Sequence, residues 1–340
     1  MCPVCEICGE SRKVSDYLGL CAACIQKNPE EALKHCARVH SNLKREFSQP
    51  DTPPHAGIPC GCCVNDCSIA HGSQGYCGVR MNYEGKIMAT TRSPTTAYVE
   101  CYYDWLPTNC VAMEFCGEKS TTGKKNLAVF YGSCTFNCLF CQNWQYRLLE
   151  QTMTVKDVLD WVDERTACIC NFGGDPTPQI THALEVARQS DVRICWETNG
   201  AFSQDIAHRV GKAALDSGGT VKIDVKAFSG PLNYALTGSS NTRTLSNCEY
   251  LWNTFQRSDP PILVVSTLLV PGYVEKEEVT AIAQFLAGID ADIPYCLLAF
   301  HPHFKMKDLP FTSRDQALSC CKAAESYLNR VRLGNTHLLT

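Results

Sequence analysis

The second half of the chain alternates short apolar runs with stretches in which apolar residues recur at helical spacing. Six such runs are long enough for buried strands, and a candidate helix follows each of them. The predicted strands are 127–131, 167–172, 192–197, 220–225, 262–268 and 294–300. The predicted helices are 154–165, 179–189, 203–216, 242–256, 275–287 and 312–332. Strand–helix units with right-handed crossovers give a parallel sheet, so we predict an α/β fold, a partial (β/α)6 barrel whose strand-end loops carry the chemistry.

The first 120 residues lack this alternation and divide where the composition changes. Two stretches are rich in cysteine, and a helical stretch with a proline-rich break lies between them. We predict a zinc-ribbon-like module over 1–27, a spacer helix and linker over 28–57, a Cys-rich module over 58–120 and the barrel over 121–340. The spacer helix is expected to end near Phe47.

Cysteine is the unusual component of the chain, with 24 of 340 residues. The chain does not open on a secretory signal, so we expect a reducing cytoplasm, where clustered cysteines indicate metal sites rather than disulfides. So many thiols oxidise easily in air, which favours an anaerobic setting. The longest apolar stretch, 262–270, is too short to cross a membrane, and the net charge of −4 argues against a nucleic-acid partner.

Two groups of cysteines before residue 80 have spacings typical of metal ligands. Two C-x2-C pairs suit tetrahedral zinc, with an iron–sulfur or rubredoxin-like iron centre as the alternative. These ligands are Cys5, Cys8, Cys21 and Cys24, with Cys2 as a substitute if the register shifts. The second group is Cys60, Cys63, Cys67 and Cys77, and Cys62 adds a fifth thiol. It fits zinc or an additional iron–sulfur cluster, serving as a scaffold or as an electron relay.

Three further cysteines lie directly after the first predicted barrel strand. Cys134, Cys138 and Cys141 have the spacing C-x3-C-x2-C, and Phe140 precedes the last of them. Three thiolates on one loop hold three irons of a cubane cluster and leave the fourth iron open to a small molecule. A structural zinc loop or three buried thiols is the alternative on spacing alone. The motif resembles the cluster loop of radical S-adenosylmethionine (SAM) enzymes, in which the aromatic residue lies near the adenine of SAM.

Loops after the second and third strands resemble other elements of that family. Gly173, Gly174 and Asp175 are similar to a Gly-Gly-Glu-Pro element whose backbone faces the amino group of SAM. Aspartate replaces the usual glutamate, so the role of this side chain stays open. Thr198 and Asn199 match a Thr-Asn-Gly element suited to ribose hydroxyls or a carboxylate. The resemblance therefore implies that these five residues bind SAM.

The fourth and sixth strands end in charged or titratable residues. Asp224 and Lys226 lie two positions apart, so both are expected to face the barrel interior, where an ion pair that only stabilises the barrel is the alternative. They resemble the Asp-Leu-Lys element of activating enzymes, which implies that Lys226 pairs with the SAM carboxylate beside Asp224. His301 matches a family histidine near SAM, and we expect all three residues to take part in catalysis.

The resemblance covers about residues 58–336 and is to the pyruvate formate-lyase activating enzyme, the AmmeMemoRadiSam group and protein-modifying members from methanogens. It implies reductive cleavage of SAM at a [4Fe–4S] cluster to a 5′-deoxyadenosyl radical, which abstracts hydrogen from a substrate. The short barrel favours a protein or peptide substrate and post-translational modification. Three outcomes stay open: C-methylation with bound cobalamin, activation of a glycyl-radical enzyme, and RNA modification with the ribbon as a docking module. The expected electron donor is of the ferredoxin or flavodoxin type.

Overall fold

The computed structural model of the protein describes residues 4–10, 13–108 and 110–340. Two helices and two short antiparallel strand pairs precede the main sheet. These elements are α1 Ala22–Lys27, α2 Pro29–Glu46, β1 Ile58–Pro59, β2 Ser68–Ile69, β3 Arg80–Tyr83 and β4 Lys86–Ala89. The strand pairs have only a small buried cluster around Cys67, Ile69 and Tyr76, so they frame the cysteines rather than form a core.

From Thr96 onward, the described residues form one nine-stranded sheet with seven α-helices. The strands are β5 Thr96–Trp105, β6 Lys125–Tyr131, β7 Thr152–Thr154, β8 Thr166–Gly173, β9 Arg193–Thr198, β10 Val221–Asp224, β11 Leu263–Leu269, β12 Tyr295–Ala299 and β13 Val331–Gly334. The helices are α3 Val155–Leu159, α4 Ile180–Gln189, α5 Gln204–Ser217, α6 Gly230–Thr237, α7 Thr242–Phe255, α8 Lys276–Ile289 and α9 Arg314–Glu325.

The strand order in the sheet is β13-β12-β11-β10-β9-β8-β6-β5-β7. Strands β6 and β8 to β13 pair in parallel, whereas β5 pairs antiparallel with both β6 and β7. Neighbouring residues such as Val264 and Val265 face opposite sides of β11, and neither has any exposed surface. Burial on both faces explains why these strands are continuous apolar runs. The sequential parallel order brings all of the strand-end loops to one edge of the sheet.

The α/β class and all six predicted barrel strands are confirmed. The helix predicted over 312–332 is wrong at its end, because α9 stops at Glu325 and 331–334 pair with β12 as an additional strand. The helix predicted over 154–165 ends already at Leu159, because the amides of Trp161 and Val162 bond to carbonyls only three residues back and the chain continues as turns. The antiparallel strand β5 and helix α6 were not predicted.

Helix α2 spans the predicted range and packs against the barrel. The Nε2 atom of the buried His40 lies 3.0 Å from the Ala235 carbonyl oxygen in α6. The buried Lys44 donates from Nζ to the Tyr76 carbonyl at 2.8 Å. One helix thus contacts both the barrel and the Cys-rich region. Within the described ranges, no helix combines the length and apolar character that a membrane span needs.

Candidate functional site

The cysteine loop after β6 lies in a cleft at the carboxyl ends of the parallel strands. Cys134, Cys138 and Cys141 all line this cleft. Two backbone hydrogen bonds to α6 fix the loop. The Asn137 amide donates to the Thr237 carbonyl at 2.7 Å, and the Leu139 amide donates to the Leu236 carbonyl at 3.0 Å. The backbone shape of the loop is therefore set by the surrounding fold.

The three thiols lie in a water-poor environment. Burial raises the pKa of Cys134 well above its usual range, raises that of Cys138 to about 12 and also raises that of Cys141. Lys226 and Arg147 oppose this increase, because their positive charges favour the thiolates. Binding of iron deprotonates its thiol ligands, so the two cations favour metal loading of this loop.

Paired glycines stand at the carboxyl end of β8 because the backbone passes too close to the cysteine loop for side chains. A Cβ on Gly174 would lie 2.1 Å from the Ser133 carbonyl oxygen, and one on Gly173 would lie 2.5 Å from the Tyr131 amide nitrogen. Gly173 also has a φ of +111°, a conformation that favours glycine. The Gly-Gly step therefore brings the loops after β6 and β8 into direct contact along the cleft.

Asp175 connects three segments through its buried carboxylate. Its Oδ1 accepts from the Thr177 amide at 2.8 Å, and its Oδ2 accepts from the Thr198 hydroxyl at 2.8 Å and the Asn199 amide at 2.9 Å. Burial raises the pKa of Asp175, although these donors favour its charged form. The side chain whose role the sequence left open thus holds the loops after β8 and β9 together.

Asn199 extends this connection to the cysteine loop. Its Nδ2 donates to the Thr135 hydroxyl at 2.7 Å and lies 3.6 Å from the Cys134 sulfur. Both Thr198 and Asn199 line the cleft, as do Gly173 and Gly174. Asp175 lies behind them and does not line the cleft within the described residues.

Asp224 and Lys226 form an ion pair at the end of β10, and both line the cleft. Burial lowers the pKa of Lys226, but the charges of Asp224 and Cys138 raise it by more, so the ammonium stays charged. The Lys226 Nζ lies 5.6 Å from the centroid of the Phe140 ring. Lys226 therefore lies beside the Asp224 carboxylate and the Phe140 ring, and its charge also acts on the Cys138 thiol.

The cleft fits an iron–sulfur cluster and an amino-acid ligand by its donor set. Three thiols converge on it, and the Lys226 ammonium offers a cation for a carboxylate. The Asp224 Oδ1 atom is buried and accepts no hydrogen bond from the described residues. A buried acceptor without a donor is costly, so it favours a ligand that brings one, such as an amine or a hydroxyl.

His301 lies away from this set. It does not line the cleft within the described residues, and its ring packs edge-on against Phe311 with centroids 5.0 Å apart. The ring of His303 lies 6.0 Å away. The catalytic and SAM-binding roles expected of His301 therefore stay predictions, which the contacts of its ring do not support.

The second cysteine group converges on a small cavity beside the cysteine loop. It is lined by Cys60, Cys62, Cys63, Cys67 and Cys77 together with Arg80 and Thr135. The thiol of Cys62 and the guanidinium of Arg80 both donate to Cys60 and lower its pKa to about 6. Ser133 donates to the Cys77 carbonyl at 2.9 Å and Thr135 lines the cavity, so the residues on either side of Cys134 both contact this region.

The N-terminal cysteines form the most compact group. The sulfurs of Cys5, Cys8, Cys21 and Cys24 all lie within 4.8 Å of one another. Tetrahedral zinc with bonds of about 2.3 Å places its sulfurs about 3.8 Å apart, which is compatible with this grouping. Cys2, the alternative ligand, lies outside the described residues.

Sequence reasoning missed two cations near these sites. Arg147 donates to the Asn137 side chain at 2.9 Å and lies over the Tyr146 ring, 4.4 Å from its centroid. No local motif marks it. Lys222 is buried in the barrel interior, and here a signal existed, because it precedes Asp224 by two positions and so shares its face of β10.

Residues 128–286 match the sequence profile of the Radical SAM superfamily. Just under half of the chain is therefore similar to this superfamily, whose members are enzymes. Enzymes of that superfamily use a [4Fe–4S] cluster and SAM as cofactors.

Two curated relatives come from Methanocaldococcus jannaschii. One, provisionally named a glycyl-radical enzyme activating enzyme, is 24% identical over 208 residues, which cover 59% of this chain and 77% of the relative. The other is an uncharacterized protein, 24% identical over 294 residues, which cover 82% of this chain and 81% of the relative.

Two solved structures are distant neighbours. A radical SAM methyltransferase from Sphaerobacter thermophilus aligns with a TM-score of 0.47 and 14% identity, over 62% of this chain and 66% of that one. Streptococcus suis SuiB, bound to its precursor peptide SuiA, aligns with a TM-score of 0.43 and 16% identity, over 60% of this chain and 47% of that one. Similarity at this level assigns no activity.

Proposed function

We propose that the enzyme cleaves SAM at a [4Fe–4S] cluster held by Cys134, Cys138 and Cys141 and removes hydrogen from a protein or peptide substrate. One observation carries the proposal: the three thiols, the paired glycines and the Asp224–Lys226 ion pair line a single cleft at the carboxyl ends of the strands. When bound, the cluster and SAM together supply hydrogen-atom abstraction from an unactivated carbon.

The residues of the chain position SAM in this proposal. Lys226 binds its carboxylate, and the Oδ1 atom of Asp224 accepts from a donor group of SAM. The backbone at Gly173 and Gly174 is free of side chains and approaches the ligand closely. Asp175 does not touch SAM but fixes the two loops that do. Among the described residues, His301 does not line the cleft, so the proposal gives it no contact with SAM.

A surface groove beside the cleft supports a peptide as the substrate. The rings of Trp144 and Phe304 stack there with centroids 5.4 Å apart and planes 10° apart, and Phe47 and Tyr17 also line the groove. The Lys305 amide donates to the Leu139 carbonyl at 2.9 Å, which joins the groove to the cysteine loop. Partly exposed aromatic side chains of this kind are enriched where proteins bind other chains.

The test is anaerobic turnover of SAM by the reconstituted enzyme with dithionite, read as 5′-deoxyadenosine by chromatography. We expect product from the wild-type protein and none above background from Cys138→Ala. Cys248→Ala is the matched control, because this thiol is fully buried in α7 and lies outside the cleft. Equal product from Cys138→Ala and the control would refute the assignment of the cluster loop.

The class of substrate is tested by transfer of deuterium. Perdeuterated protein and RNA fractions are offered separately, and deuterium in 5′-deoxyadenosine is measured by mass spectrometry. We expect label from the protein fraction only, whereas label from RNA alone would favour the RNA-modifying alternative with the ribbon as a docking module.

Two fates of the protein substrate are proposed in order of preference. Permanent C-methylation with bound cobalamin would add one methyl mass to the substrate and give the purified enzyme a cobalamin absorption band. Glycyl-radical activation, favoured by the name of the relative at 24% identity, would instead give a persistent radical signal in the partner protein. The methyl mass and the radical signal are distinct, so measuring both on the same reaction separates these fates.

A further inference from the structure

A second cavity of about 270 Å³ lies inside the barrel, toward the amino ends of its strands. It meets the cleft, because Phe172, Glu197 and Asn143 line both spaces. Its lining contains five cysteines that belong to neither predicted metal group nor to the cluster loop. They are Cys110, Cys116, Cys168, Cys170 and Cys195.

Three of these thiols are placed by the sheet. Cys168 and Cys170 lie two positions apart on β8 and so share one face, and Cys195 on β9 is the direct register partner of Cys170. The Cys168 thiol also hydrogen-bonds to that of Cys195. The register of two neighbouring strands thus brings three sulfurs to one wall of the cavity.

The other two thiols come from the segment between β5 and β6, which covers this end of the barrel. Glu118 accepts from Arg193 on β9 at 3.0 Å, and Arg332 donates to the Cys110 carbonyl at 3.3 Å. These contacts hold the segment against the central strand β9 and the edge strand β13. Cys110 therefore faces the three strand cysteines from a separate element of the chain.

A buried cation lies among these sulfurs. The Lys222 Nζ is 3.0 Å from the Cys170 sulfur, 3.3 Å from the Cys110 sulfur and 3.3 Å from Glu197 Oε2. The side chain of Lys222 is 2% exposed, whereas that of Glu197 is 38% exposed. Glu197 supplies one negative charge to Lys222, and the Cys170 and Cys110 sulfurs lie as close, so an anionic group held by these thiols would give the ammonium a second, buried partner.

The spacing of the sulfurs distinguishes a polynuclear cluster from a single ion. Among the described residues, only the N-terminal group brings its sulfurs within 4.8 Å of one another. Cys168 and Cys195 form a close pair, but no group of three of the described barrel thiols lies within that distance, which suits several irons bridged by sulfide rather than one tetrahedral zinc. A cluster held by four thiolates is anionic, which matches the cation at Lys222.

We propose that this cavity holds an additional iron–sulfur cluster ligated by Cys110, Cys168, Cys170 and Cys195. Each ligating thiol releases its proton on binding iron, and the proton leaves to solvent. The cluster is separate from the one at Cys134, which the proposed cleavage of SAM requires. Because the cavity meets the cleft at Phe172 and Glu197, the second cluster faces the same barrel interior as SAM.

The experiment compares the full-length protein with Cys168→Ala/Cys170→Ala/Cys195→Ala after anaerobic reconstitution with iron and sulfide. Iron and sulfide are measured chemically, and native mass spectrometry counts clusters per folded chain. We expect the triple variant to lose about two to four irons with as many sulfides, the content of one cluster. Cys248→Ala, which removes a buried thiol outside the cavity, is expected to keep the wild-type content.

Wild-type iron content and mass in a folded triple variant would overturn the proposal, and so would zinc in place of iron in the cavity. A second variant, which keeps all four proposed ligands, tests the proposal even if the triple variant does not fold. In Lys222→Met, loss of the positive charge is expected to move the midpoint potential of one cluster to more negative values, and unchanged potentials would overturn the assignment. Cys138→Ala is counted in parallel, so a failed SAM-cleaving site and a failed barrel site give different results.

Discussion

The Asp175→Ala substitution tests whether one carboxylate holds the SAM-site loops together. The carboxylate is 1% exposed and accepts three hydrogen bonds, from the amides of Thr177 and Asn199 and from the hydroxyl of Thr198. A hydrogen bond to a charged group contributes about 1.5–3 kcal/mol. Since about 1.4 kcal/mol corresponds to a tenfold change in an equilibrium, local opening at each of the two amides should become roughly 10- to 100-fold more frequent.

Amide hydrogen exchange followed by mass spectrometry measures this directly on the reconstituted protein. Peptides containing Thr177 and Asn199 should exchange faster by that factor in Asp175→Ala, while peptides from α8 should not change. Asp205→Ala, an exposed aspartate in the first turn of α5, is the matched control. Wild-type exchange at both amides in a folded Asp175→Ala protein would refute the idea that this carboxylate connects the loops.

The same position should also reject the glutamate that the family element usually carries. The site is fully enclosed, so one additional methylene in Asp175→Glu should cost about 1–3 kcal/mol unless the loops shift. The expected result is faster exchange at the same two amides, measured beside Asp175→Ala. Exchange as slow as in the wild type would show that the loops accommodate the longer acid.

Three further predictions address affinity, metal content and pH. Lys226→Met should weaken SAM binding about 10- to 100-fold in anaerobic titration, as expected for loss of a charged hydrogen bond, while the exposed Lys212→Met should not; equal affinities would exclude a carboxylate contact. Cys8→Ala should lose about one metal ion per chain by elemental analysis yet retain uncoupled SAM cleavage, and loss of cleavage in a folded variant would refute this division of roles. Burial lowers the pKa of His182 to about 4, below that of the unfolded chain, so stability should fall as pH drops from about 6.5 to 4, by up to about 3 kcal/mol. Denaturation midpoints across that range should fall less steeply for His182→Gln, and parallel curves would contradict the assignment.

Much of the barrel could be predicted because its signals are local. A fully buried parallel strand must be a continuous apolar run, and its loop must follow it, so the motif at Cys134 and the glycines at Gly173 and Gly174 could be placed at one edge of the sheet. The Asp224–Lys226 pair followed from the two-residue period of a strand. His301 had no such geometric support, because its placement depended on a resemblance in a loop of irregular shape.

Helix α6 was missed because its first residues suggested a different structure. Gly230 and Pro231 follow Ser229, a combination that indicates a turn, yet proline is also accepted in the first turn of a helix. Its eight residues are mostly buried and so lack the periodicity of an amphipathic surface helix. The consequence for the site is direct, since the carbonyls of Leu236 and Thr237 hold the cysteine loop.

Spacing rules could not identify the barrel cysteines from the sequence, for a different reason. Ligand motifs such as C-x2-C are recognised when one short segment supplies neighbouring sulfurs, whereas Cys110, Cys170 and Cys195 come from three separate elements. Cys170 and Cys195 become neighbours only through the parallel register of β8 and β9, a non-local pairing. An alternating strand with cysteines at i and i+2, beside a buried lysine two strands away, is the pattern that would have indicated a thiol-lined cavity. Such a pattern can be used only once the strand order is known, which makes this site a property of the fold rather than of any motif.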